Sequence, residues 1–301
     1  MEIWILATIA ATVFQTLRFM LQKQLSMGAL STAGATFARF AYSAPLLALV
    51  LMLWLALSGT QVPDITARFW MMGAIGGLAQ ILATVCVVAL FRTRNFAVGI
   101  TFKKTEVMLS VLVGIVILGE GVSWAGFLAI LIGLMGVLFL SNTSGASGPW
   151  RERVFTRAAA LGLGSGLLFA ISGVTYRAAT LDVAADAPLL RAAMTLSAVT
   201  MMQFLAMAFW LRLREPGQIS AVWAARRKAI LIGLSSVAGS LGWFVAYTLQ
   251  TAAYVNALGQ IELIFSLMVS ALVFKEKLTT REGLGIALLS VSVLLLIIVT
   301  R

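Results

Sequence analysis

The chain has 301 residues, of which 61% are hydrophobic and 11% charged, with a net charge of +11 and no histidine. A water-soluble domain carries about 25% charge, so this composition excludes a soluble globular protein, and the missing histidine excludes histidine metal sites and histidine proton relays. The length offers room for about ten membrane spans of roughly 20 residues each.

The first apolar segment, Ile3 to Met20, lacks a basic leader and a small-residue cleavage site, and is expected to be a retained span rather than a signal peptide. Apolar runs then predict spans at 3–21, 33–57, 69–91, 96–118, 123–141, 157–178, 187–211, 229–250, 254–274 and 281–299. They are too long and too uniformly apolar for barrel strands, so helices are expected. The stretch from Ser141 to Trp150 is small, polar and flexible, and separates five spans from five. Five is odd, so a second copy would be inverted relative to the first. The expected fold is all-α and integral to the membrane, with ten transmembrane helices as two inverted five-helix repeats over residues 1–143 and 144–301. The single Cys86 permits no internal disulfide.

Positive charge is distributed unevenly between the loops. Fourteen of the 22 Lys and Arg residues fall in or beside the loops after spans one, three, five, seven and nine, whereas Arg68 and Arg301 lie on the opposite side. The positive-inside rule then places the odd loops in the cytoplasm and both termini outside a cell (inner) membrane. The basic excess is read as contact with anionic lipid and not with nucleic acid. Most tryptophans fall near span ends, as an interfacial belt requires. Trp243 lies well inside span eight.

A motif recurs. Thr105-Glu106-Val107-Met108-Leu109-Ser110 returns loosely as Ile261-Glu262-Leu263-Ile264-Phe265-Ser266, and each copy runs through an apolar stretch to a second acid, Glu120 or Glu276, fourteen residues on. Charges inside spans are costly, roughly 2.5 to 3.5 kcal/mol each on insertion scales. Glu106 and Glu262 are therefore read as substrate-binding or proton-coupling carboxylates, against the alternative of structural ion pairs, Glu106 with Lys103 or Glu262 with an arginine. Lys103 and Lys104 are candidates for the same site, or cations snorkelling to the cytoplasmic surface. Arg39 and Arg191 are matched across the two halves and either join the site, pair with these acids or snorkel. Trp243 and Tyr247, one turn apart on one face, would suit a cationic or aromatic substrate, or are packing. Tyr42, one turn from Arg39, is a further candidate. Glu120 and Glu276 are expected at helix ends, accepting hydrogen bonds from backbone amides of the next span.

The segments Val113–Glu120 followed by Gly126–Gly136, and Leu272–Thr279 followed by Glu282–Gly285, resemble the EamA-type branch of the drug/metabolite transporter superfamily. The resemblance implies a ten-helix bundle of inverted repeats with alternating access around a central cavity. The small multidrug exporters of that superfamily carry an essential glutamate in their first helix. Here the first span has no acid beyond Glu2, so their proton mechanism does not transfer to it. The expected function is secondary transport, as an exporter, of small polar metabolites such as amino acids or organic cations, with proton coupling left open. The alternatives are an intramembrane enzyme modifying a lipid or metabolite, or a non-transporting scaffold or sensor. Neither catalytic residues, nor a metal, nor a cofactor are expected. A small-molecule substrate and the lipid bilayer are the expected partners, with a homodimer left open.

The loop asymmetry yields a topology test. Reporters at Thr60 and Arg226 should label from opposite sides, with Arg226 cytoplasmic. Labelling of Arg226 from outside would overturn the orientation.

Overall fold

The computed structural model describes residues 2–28, 30–90, 103–140, 157–265 and 280–300. The chain is helical throughout these segments, and an isolated bridge between Ile65 and Val183 is the only extended pairing among them. Six helices are long and apolar enough to cross a membrane. They are α1 (Ile3–Ser26), α2 (Thr32–Ser58), α3 (Ala67–Leu90), α6 (Arg157–Leu181), α7 (Pro188–Arg214) and α9 (Arg226–Leu249). Shorter apolar helices are α4 (Glu106–Leu118), α5 (Trp124–Leu140), α10 (Ala252–Leu258) and α11 (Thr280–Val299), with a short interhelical α8 at Gln218–Ala224.

Local chemistry sets several boundaries. Ser31 caps α2 by accepting the amide of Gly34 at 2.9 Å, and Gly59, at φ 66°, ends it in a left-handed turn. Gly119 ends α4 the same way. Its amide and that of Glu120 return to the carbonyls of Ile115 and Gly114, each at 3.1 Å, which leaves fewer carbonyls bare in the turn. Pro188 opens α7, where its missing N–H costs nothing.

Three differences from the expected spans bear on the site. In span four Lys103 is helical, Lys104 and Thr105 form a turn, and helix starts again at Glu106. Span nine is interrupted: α10 stops at Leu258, a 3₁₀ turn covers Gly259–Ile261, and α-helix resumes at Glu262. Helix α1 continues to Ser26, which places Arg18 inside it and not at its end. The linker from Ser141 to Trp150 and the acid Glu276 lie outside the described residues.

The surface is apolar, and polar side chains are buried inside among hydrophobic ones. Leu57 is 87% exposed, Val116 83% and Phe209 67%, whereas Thr8, Thr12, Gln22, Ser110 and Ser165 are fully buried. That inversion fits a chain solvated by hydrocarbon and not by water. With little hydrophobic force between helices in lipid, close packing must hold them together. The most extensive helix pairs are α3 with α6, α1 with α9 and α5 with α11. Glycines make these approaches possible. A Cβ on Gly242 of α9 would lie 2.6 Å from the carbonyl oxygen of Ala7 in α1. One on Gly136 of α5 would lie 2.9 Å from the Gly285 carbonyl and the Leu289 amide of α11.

The ends of the bundle are tied separately. Arg68 meets Asp182 at 3.1 Å and the Ala184 amide donates to the Asp64 carbonyl at 3.1 Å, joining the turn after α2 to the turn after α6. At the other end the Ser31 amide donates to Gln218 Oε1 at 3.0 Å and the Ser31 hydroxyl bonds Glu215, joining the turn after α1 to the turn after α7.

The α5–α11 contact gives a packing prediction. Gly136→Val forces backbone apart and should cost about 1–3 kcal/mol, read as a lower Tm of the purified protein. Gly164→Ala, where a Cβ meets nothing within 4 Å, should leave Tm unchanged or slightly raised. Equal effects at both positions would contradict the close approach.

Candidate functional site

A buried cavity forms where α1, α2, α3, α6 and α9 meet the turn ahead of α4 and the broken span after α10. Its free space is about 40 Å³, room for about three waters. Ionic and amide side chains line one part of it and aromatic rings another.

The two turns supply the charges. Lys104 Nζ lies 2.6 Å from Glu262 Oε1, and the two side chains are 2% and 16% exposed. Gln15 of α1 donates to the other Glu262 oxygen at 3.0 Å. Trp243 Nε1 donates to Gln15 Oε1 at 3.2 Å, so one glutamine links the acid to the aromatic wall. Lys103 Nζ reaches Glu106 Oε2 at 3.2 Å, one turn on, and sits 4.9 Å from the centre of the Phe169 ring. Gly166 of α6 allows this charged turn to lie flat against it. A Cβ there would be 2.9 Å from the Lys103 carbonyl oxygen.

Arg39 of α2 is buried and held by hydroxyls of α9, Nε to Ser236 at 2.8 Å and Nη2 to Ser240 at 3.0 Å. Arg18 of α1 is equally buried, and its one described side-chain hydrogen bond is the long 3.5 Å contact from Nη2 to Gln15 Oε1.

The aromatic wall is ordered by its own polar atoms, as buried Tyr and Trp require. Trp243 and Tyr247 stack with centroids 5.8 Å apart, and Tyr176 lies against Phe244 at 4.5 Å. Tyr247 donates to Asn256 Oδ1 at 2.8 Å, and Asn256 in turn donates to the Ser110 hydroxyl of α4 at 2.7 Å. Tyr176 donates to Gln80 Oε1 at 3.1 Å, which also accepts from Gln203 at 3.0 Å. Gly259, in the 3₁₀ turn, lets the backbone approach the Trp243 ring; a Cβ would be 2.5 Å from it.

The structure thus brings together Glu106, Glu262, Lys103, Lys104, Arg39, Trp243 and Tyr247. Lys103 and Lys104 do not snorkel; both are buried and engaged by acids. The described ion pair of Glu262 is with Lys104, the residue just ahead of the other motif copy. Arg191 does not line the cavity. It sits in the first turn of α7 and donates to the Ala185 carbonyl just before that helix. Tyr42 also stays out, stacking on Trp223 of α8 with centroids 6.3 Å apart in a lateral groove.

Glu120 sits at a helix end but does not cap the next span. Ser123 does so, accepting the Gly126 amide at 3.1 Å, while the Ser123 amide donates to Tyr254 Oη at 3.0 Å. Glu120 instead forms a two-pronged pair with Arg177, Nε to Oε2 at 2.6 Å and Nη2 to Oε1 at 2.8 Å. Arg177 Nη1 also donates to the carbonyls of Tyr247 and Gln250, at 2.8 and 2.9 Å, where α9 ends. A planar guanidinium satisfies a carboxylate and bare carbonyls at once, which a lone amide cannot.

Sequence reasoning missed Gln15, Arg18, Gln80, Tyr176, Asn256 and Gln260. The signal for some was present. Gln15 and Arg18 are three residues apart, and Asn256 and Gln260 four apart, so each polar pair shares a helix face within an apolar span.

An apolar-coated helical bundle with a charged internal cavity is the organisation of a multi-pass membrane protein that handles a polar solute inside the bilayer. Residues 156–298 match the model of the EamA-like transporter family. That family belongs to the drug/metabolite transporter superfamily, and the match lies in the second half of the chain. A solved crystal structure, described only as that of a protein, is similar in fold, with a TM-score of 0.65 at 17% identity over 95% of this chain and 97% of its own. No curated protein matches the sequence.

Proposed function

We propose that this protein is a secondary active transporter that exports a small polar metabolite across the cell (inner) membrane by alternating access. The observation that carries the reading is the Lys104–Glu262 pair in the central cavity. Two buried charges cost more than a hydrophobic pair of the same volume would, and a protein that only needed to fold would gain nothing by keeping them there.

The proposed architecture is ten spans in two inverted repeats, residues 1–143 and 144–301. The helix contacts support it. Exchanging the halves turns the α3–α6 pair into α9–α1, and leaves α5–α11 and α2–α7 mapped on themselves, and all of these are extensive. Both motif copies start helix at the glutamate, after a turn at Lys104–Thr105 and after the 3₁₀ turn at Gly259–Ile261. Interrupted helices at the contact of two repeats are a usual place for substrate in secondary transporters. The small free volume fits an occluded conformation. The Arg177–Glu120 clamp and the Arg68–Asp182 pair then close the outer end, with the positive odd loops in the cytoplasm and both termini outside.

Of the two substrate classes expected, the cavity favours amino acids over organic cations. Both cavity acids already hold lysines, so an incoming cation meets no free carboxylate. Trp243 and Tyr247 supply an apolar face beside the charges. In this reading a proton arriving at Glu262 releases Lys104 and unlocks the two turns. The family match does not favour an enzyme or a scaffold.

Glu262→Gln tests the coupling role. In proteoliposomes offered a panel of amino acids, the variant should lose transport, or lose the response to an imposed pH gradient, while the purified protein stays monodisperse. Full activity with unchanged pH dependence would remove Glu262 from the mechanism.

A further inference from the structure

The charges around the cavity do not balance. Among the described residues four cations line it, Arg18, Arg39, Lys103 and Lys104, against two acids, Glu106 and Glu262. The lysines take the acids one to one. The described hydrogen bonds of the arginines go to neutral groups, serine hydroxyls for Arg39 and the Gln15 carbonyl oxygen for Arg18, and Glu262 attracts Arg18 without a described ion pair. Both side chains are 3% exposed. Among the described residues, Arg18 Nε and Arg39 Nη1 have no hydrogen-bond partner. The two guanidinium groups also repel each other.

A guanidinium cannot shed its proton to relieve this, as a lysine could. Buried charge without a counter-charge, and buried N–H groups without acceptors, are both strongly unfavourable. They persist where a ligand completes them. A pair of forked donors facing one cavity is the geometry that holds an oxyanion.

We infer that Arg18 and Arg39 form an oxyanion subsite, and that the transported solute docks a carboxylate or phosphate group there. The inference rests on the transporter reading and narrows its substrate. Gln15 contacts Arg18, Trp243 and Glu262 together, so an anion on Arg18 places the rest of the molecule against the indole. The apolar part of the solute then lies on the Trp243–Tyr247 face. A bound anion lowers the positive excess of the cavity, whereas a bound cation raises it.

The test is equilibrium binding to the full-length purified protein, by titration calorimetry and thermal shift. Benzoate, succinate and inorganic phosphate are the anionic probes, and tetraethylammonium is the cationic one. At least one anion should bind saturably and raise Tm, with tetraethylammonium inert. The rank of phosphate against the carboxylates says which oxyanion the site takes. Arg39→Gln and Arg18→Gln should each weaken that anion at least tenfold, and Arg39→Lys should recover part of the loss. If a Gln variant fails to fold, competition on the unmodified protein still decides. Binding of tetraethylammonium with no anion bound overturns the proposal. So does anion binding undiminished in both folded Gln variants, and so does failure of all three anions to bind. Flux in proteoliposomes is a separate readout. An anion that binds but never crosses sinks the transporter reading and leaves the subsite standing. Amino-acid flux without anion binding does the reverse.

Discussion

The ion pair between Lys104 and Glu262 is the constraint around which the interior is arranged. Each charge is taken from water into a bundle coated by hydrocarbon, at an effective cost of several kcal/mol per ion. At 2.6 Å, with Gln15 on the second carboxylate oxygen, the pair recovers much of that cost. Recovery requires the turn ahead of α4 and the turn after α10 to meet at one place. Gly166 and Gly259 have no side chains where these turns press against α6 and Trp243, and each would clash with a Cβ. The polar network then spreads outward: Gln15 to Trp243, Tyr247 to Asn256, and Asn256 to Ser110. Every buried polar atom that finds a partner fixes the orientation of the next.

Away from the cavity, stability comes from contact and not from charge. Small residues let α1 meet α9 and α5 meet α11 at backbone distance, where dispersion acts over many atoms. Serines in these seams bond carbonyls across helices, as Ser292 of α11 does with Ala129 of α5 at 2.7 Å. Arg68, paired with Asp182, is one exception and Arg177 is another. One guanidinium ties the end of α4, through Glu120, to the end of α9. Breaking such a junction frees two helix ends together.

Much of the fold was legible because lipid imposes a simple rule: long apolar runs must be helices. The repeated acids Glu106 and Glu262 were legible because charge stands out in such runs. What the sequence hid depends on helix length and direction. Arg18 stands three residues before the end of the expected span 3–21, yet α1 runs on to Ser26 and buries it. Arg39 and Arg191 looked equivalent by position, but Arg191 lies only three residues into α7 and bonds the chain just before that helix. Tyr42 is one turn from Arg39 yet stacks on α8, a helix inside an expected loop. Glu120 was placed at the right end of the right helix. Its partner, Arg177, is distant in sequence and has no local signature.

The central claim is that Lys104 and Glu262 are costly alone and tolerable only together. A double-mutant cycle measures this directly, with Lys104→Gln, Glu262→Gln and the double variant compared by equilibrium unfolding in micelles. Removing either charge alone should cost about 3–5 kcal/mol, because the partner is left buried and uncompensated. Removing both should cost less than either single change. Additive losses, with the double variant the least stable of the set, would contradict the account.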